Sequence, residues 1–112
     1  MADEALVQNL RAMATLERFS SIDQKVTQVT TTAKVIPASN LANRKGIFIL
    51  NAEASGTYIY LGNSDVTADE TVGTGGYRLD GGQHMFLTLD GSCTLYGRTS
   101  SGTTTVHTLE VA

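Results

Sequence analysis

Three side chains in this 112-residue chain are suited to reactive chemistry, His84, Cys93 and His107, and all three fall on segments that read as β-strands. A thiol and two imidazoles can build a Cys/His nucleophile pair or part of a metal site. Structural zinc needs four ligands with paired short spacings, and the sequence has neither C-x-x-C nor H-x-x-x-H. Cys93 is therefore expected as a small buried apolar residue, and His84 and His107 as strand residues with ordinary hydrogen bonds. No catalytic residue, no metal and no cofactor is assigned, and the expectation is a protein that is not an enzyme.

Three further constellations lead to the same place. The stretch GTGGYRLDGG, residues 73 to 82, resembles a phosphate loop, but GxGxxG would need glycine where Arg78 stands, and a strand follows where a helix N-terminus should. Its glycines suit turns that need positive φ. The loop from Asn63 to Glu70 carries Asp65, Asp69 and Glu70, enough oxygen for a weak Ca²⁺ site but without EF-hand order; a solvated acidic loop is the simpler reading. Tyr58, Tyr60, Tyr77 and Tyr96 could stack on a sugar, yet tyrosines on strands more often pack at a half-exposed face or an interface.

The elements that position these residues change character along the chain. All 11 glycines lie between Gly46 and Gly102. Residues 2 to 19 are rich in Ala, Leu, Glu, Gln and Arg, and Leu6, Leu10, Met13, Leu16 and Phe19 recur at steps of four and three, which predicts one amphipathic helix. Asp3 and Glu4 favour its start through the helix dipole, and Ser20-Ser21 mark its end. Thr and Val dominate from Val26 to Ile36, predicting a long strand near an edge that Pro37 closes.

From Lys45 the runs GIFILN, TYIYLG, GYRLD, QHMFLTLD, CTLYGR and TTTVHTLEV follow, separated by turn-forming segments. Asp80-Gly81-Gly82, Asp90-Gly91-Ser92 and Ser100-Ser101-Gly102 predict consecutive antiparallel hairpins for the last four runs. The fold class expected is mainly β, a small antiparallel sandwich or barrel of about seven strands preceded by an N-terminal helix. The division expected is an N-terminal helix and extended arm over residues 1 to 44, and a β-sandwich domain over residues 45 to 112.

Alternation puts Met85, Leu87 and Leu89 on one face of their strand and His84, Phe86 and Thr88 on the other, so both faces are partly apolar. A domain this small covers one face with its own core, which predicts self-association. Docking or oligomer contacts are expected at Leu6, Leu10, Met13, Leu16, Phe19, Val26, Val29, Tyr58 and Tyr60.

Charge and composition narrow the partners. Eight Lys and Arg against eleven Asp and Glu give a net charge of -3, and no basic cluster is present to meet a phosphate backbone, so nucleic acid is not an expected partner. No apolar run approaches the roughly 18 residues of a membrane helix. The start MADEALVQNL lacks the basic and apolar regions of a signal peptide, and classical secretion is not expected.

From Lys45 to Val111 the order of residues resembles a small β-domain of tailed-bacteriophage virion proteins. The matching positions are Asn51, Tyr60, Gly62, Val66-Thr67, Gly76 with Leu79, Gly82, Leu95-Tyr96-Gly97 and Ser101-Gly102-Thr103. The resemblance implies a virion structural protein, either a capsid decoration or cement protein bound to the major capsid protein, or a head or tail fibre module that binds a receptor or carbohydrate. It would be made in the host cytoplasm and reside on the capsid surface; decoration proteins often occupy local threefold axes, so the resemblance implies a homotrimer.

Overall fold

The computed structural model describes residues 19 to 112. The helix expected over residues 2 to 19, with Leu6, Leu10, Met13 and Leu16, lies outside the described residues except for Phe19. The described chain is all β, with eight strands: β1 (Ile22–Val29), β2 (Lys34–Val35), β3 (Gly46–Asn51), β4 (Ile59–Gly62), β5 (Tyr77–Leu79), β6 (His84–Leu87), β7 (Tyr96–Arg98) and β8 (Thr104–Val111). They form two four-stranded sheets, A in the order β1-β8-β3-β6 and B in the order β2-β7-β4-β5, and every strand pairing is antiparallel. Between the sheets lies a core of Val29, Ile36, Ile47, Ile49, Ile59 and Val106, each fully buried.

Two local expectations give way to this topology. The Thr/Val run is two strands in different sheets, because the chain leaves β1 after Val29 and Ile36 turns into the core. The last four runs form no hairpins with one another: β5 and β7 belong to sheet B, β6 and β8 to sheet A. Their glycine turns are arches that carry the chain from one sheet to the other. Glycine serves the arch at Gly81, where an added Cβ would collide with the backbone of Ala54. Asp80 accepts hydrogen bonds from the Gly56 and Gly81 amides at 2.8 and 2.7 Å, which ties this arch to the one between β3 and β4. Residues 22 to 44, expected within an arm, contribute β1 and β2, and β1 pairs with β8 along its whole length from Ile22 opposite Val111 to Val29 opposite Thr104.

Two buried polar groups lock the arches in place. The Asn51 amide nitrogen donates to the carbonyls of Thr57 (2.8 Å) and Leu79 (3.0 Å), while its oxygen accepts from the Glu53 amide (3.1 Å), joining β3 of one sheet to β5 of the other. At the opposite end Arg44 and Glu110 form an ion pair at 3.0 Å, with both side chains fully buried. The guanidinium also donates to the carbonyls of Leu89 (3.0 Å), Asp90 (3.0 Å) and Cys93 (2.7 Å) and to the Asn40 side-chain oxygen (3.0 Å). Glu110 Oε2 accepts in addition from the Leu41 amide (2.9 Å), and Oε1 faces the Lys25 ammonium at 3.7 Å.

Removing one partner of a buried pair strands the other charge, which costs about 3–5 kcal/mol. Arg44→Met is expected to lower stability by that amount in urea unfolding. The double variant Arg44→Met/Glu110→Met should be less destabilised than the sum of its two single changes. Strict additivity would mean that the pair is not coupled.

Candidate functional site

The two outer faces of the sandwich are finished differently. Over sheet B the loop of residues 63 to 76 folds back: Val66 is buried, and Thr67 and Gly75 meet in an isolated parallel bridge. Beneath this loop Tyr60, which points outward by alternation, is only 8% exposed. Gly76 permits the close approach, since a Cβ there would meet Val66 and Tyr60 within 3 Å. Asp69 holds the loop's shape by accepting from the Thr71 amide at 2.9 Å and the Thr67 hydroxyl at 2.8 Å.

Over sheet A no described segment lies. Register places Gln24, Leu109, Phe48 and Phe86 side by side in one row across the four strands, and Val26, His107, Leu50 and His84 in the next. Phe48 and Phe86 have ring centroids 4.5 Å apart, and each residue remains 42% exposed. Gly46 on β3 makes room for the Phe86 ring, which an added Cβ would strike. Val26 and Ile22 on the edge strand β1 are 62% and 64% exposed, and Phe19 is 36% exposed just before it. The result is a continuous apolar surface with glutamine and histidine among its apolar side chains.

Of the residues expected at a docking face, Val26 is at this surface, and Phe19, three residues before β1, is 36% exposed. Val29 is fully buried in the core and Tyr60 lies under the sheet B loop, so neither side chain is free to meet a partner. Val29 is an odd step from the exposed positions of β1, so alternation turns it inward, whereas Tyr60 is covered by the loop of residues 63 to 76. Tyr58 is half-buried, with the Arg78 guanidinium 4.5 Å above its ring. Sequence reasoning missed Phe48, Leu50 and Leu109. The unbroken apolar run from Ile47 to Leu50 was the available signal, since alternation puts its side chains on both faces of β3.

The reactive side chains are dispersed. His84 and His107 project from the outer face of sheet A, on β6 and β8 with β3 between them. Cys93 is exposed rather than buried as expected, because it sits in the arch after β6 whose carbonyls turn inward to Arg44. Among the described residues no group of three or more His, Cys, Asp or Glu side chains could hold a metal ion, and no described helix is long and apolar enough to cross a membrane. An open cleft lies between Tyr77–Leu79 at the edge of sheet B and Gln83–Met85 at the edge of sheet A.

No family model matches the chain, and no curated protein matches it. Among solved structures it is similar to protein NMB1881 from Neisseria meningitidis, at 7% identity over 90% of this chain and 93% of that one, with a TM-score of 0.46.

The loop over sheet B carries a pH signature. Hydrogen bonds from the Thr71 hydroxyl, the Thr71 amide and the Thr67 hydroxyl hold the Asp69 carboxyl below its ordinary value of 3.8, helped by the positive charge of Arg98. A lowered folded value means that Asp69 contributes its full share of loop stability above the ordinary range and loses it as pH falls below 3.8 through the lowered value. Carboxyl-carbon NMR should place the Asp69 midpoint below that of a model peptide, and Thr67→Val should move it upward. An ordinary midpoint in the native protein would contradict the assignment.

Proposed function

We propose that the protein is a non-enzymatic structural protein of a tailed-phage virion, a capsid decoration or cement protein that binds the major capsid protein shell and stabilises it. The observation that carries this reading is the outer face of sheet A, a broad apolar surface held on a rigid two-sheet scaffold. A protein that works by adhesion needs such a face, and contiguous exposed apolar patches mark interaction sites. The resemblance of residues 45 to 111 to phage virion β-domains supports the same reading. Several of its matching positions do structural work in this chain: Asn51 clamps the two sheets, Gly76 lets the loop close on Tyr60, and Gly97 leaves space for the Ile36 side chain in the core. The chain would act as a homo-oligomer on the outside of the capsid.

Quantitative mass spectrometry of purified virions of the phage whose genome encodes the chain tests the proposal. The expected result is a copy number in a fixed whole-number ratio to the major capsid protein. A few copies per particle would replace capsid decoration with the fibre module that binds a receptor or carbohydrate. Absence from the virion would overturn both.

A further inference from the structure

The sandwich gapes along one side. Alternation sets Tyr77 and Leu79 of β5 on the core side of sheet B, opposite Leu61 and Ile59, and Met85 of β6 on the core side of sheet A, opposite Ile49. Leu79 is buried, but Met85 is only half-buried and Tyr77 is 65% exposed, so core-side residues line the open cleft of about 370 Å³ between these two edge strands. One flank of the cleft is a row of unpaired backbone. The Asn51 amide donates to the Gln83 carbonyl at 3.0 Å and the Leu89 amide to the Lys45 carbonyl at 3.2 Å, which turns the backbone groups of the odd-numbered residues along β6 toward β3. The N–H and C=O groups of His84, Phe86 and Thr88 therefore point away from β3, where no described strand receives them. That free row spans five residues, roughly 14 Å of strand.

The other sheet edges are guarded. β1 carries Asp23 and Lys25, and the Lys34 ammonium donates to its Gln28 carbonyl at 3.1 Å. β2 is two residues long, and β5 has Arg78 at its centre. β6 contains no Asp, Glu, Lys, Arg or Pro, so it lacks the charges and prolines that stop an edge from pairing. We propose that this edge and cleft bind an extended peptide segment of another protein, which adds to sheet A beside β6. A peptide is selected because a second backbone is what matches a row of alternating donors and acceptors. The pairing fixes which of its side chains meets the cleft. The residue opposite Met85 points to the core side, toward Tyr77 and Leu79, where the cleft has room for a large apolar side chain. Arg78 is the charged residue of the cleft lining. Its guanidinium lies over the Tyr58 ring, and its 3.8 Å contact with Glu70 is exposed and therefore weak, so it favours a carboxylate on the incoming segment. The site lies at the side of the sandwich and stands whether or not the outer face of sheet A binds a capsid.

Panning a random-sequence peptide library against the immobilised full-length protein tests this. Enriched peptides are expected to carry a large apolar residue and an acidic residue within a proline-free stretch. Added to isotope-labelled protein, a synthetic copy of such a peptide should shift the His84, Phe86 and Thr88 amide signals and slow their exchange with solvent. Tyr77→Asp and Arg78→Glu, at exposed positions where the circular-dichroism spectrum should stay intact, are each expected to weaken binding about tenfold or more. Val72→Lys, at a fully exposed position on the sheet B loop, should leave binding unchanged. Failure to enrich any peptide would overturn the proposal, as would enriched peptides that bind the folded Tyr77→Asp variant as tightly as the wild type. A wild-type mass in sedimentation that Tyr77→Asp lowers would overturn it too, by giving the cleft to a second copy of the chain.

Discussion

Arg44 and Glu110 form the interaction on which the rest of the architecture depends. Burying an ion pair costs desolvation, which further hydrogen bonds to its members offset. Here the guanidinium binds three backbone carbonyls and an amide oxygen besides the carboxylate. Those carbonyls belong to residues 89 to 93, the arch by which the chain leaves β6 in sheet A for β7 in sheet B. The carboxylate stands on β8, the strand between β1 and β3, and holds the segment before Arg44 through the Leu41 amide. One pair therefore joins the middle of sheet A, the loop leading into β3 and an arch between the sheets.

That anchor decides which side of sheet A is which. Glu110 must face inward to meet Arg44, and strict alternation then sends Leu109 and His107 outward and brings Thr108 and Val106 in. Pairing carries the choice sideways. Phe48 opposite Leu109, and Phe86 opposite Phe48, must share the outward side. Lys25 is drawn inward to the carboxylate, and Val26 is left outside. A sheet slips by one residue only if every side chain changes face, and such a slip would expose Glu110 and Ile49 together. The apolar outer surface follows from the buried charge within.

Much of the strand content was legible in the sequence. The β-branched and aromatic runs from GIFILN to TTTVHTLEV match β3 to β8 closely, and alternation alone grouped Met85, Leu87 and Leu89 on one face, though it did not tell that this face packs against the core. The sheet assignment was not legible, because Asp-Gly-Gly and Asp-Gly-Ser turn a chain equally well into a hairpin or an arch across the sandwich. Pairing is decided by distant contacts such as Asn51 to Leu79. Arg44 also escaped notice, since a lone cation in a loop reads as solvated until its partner, 66 residues away, is known. The face itself was half visible: Val26 and Phe86 stood out, whereas Phe48 and Leu109 become neighbours only through the register of three strands.

The buried Arg44–Glu110 pair fixes which side of sheet A faces the core and so leaves Val26, Phe48 and Phe86 on the other. NMR with a soluble paramagnetic probe, which broadens signals from exposed groups, tests this most directly. The predicted result is broadening of the Val26 methyls and the Phe48 and Phe86 ring protons, with the Ile49 and Val106 methyls spared. Broadening of Ile49 and Val106 with Val26 and Phe86 spared would contradict it.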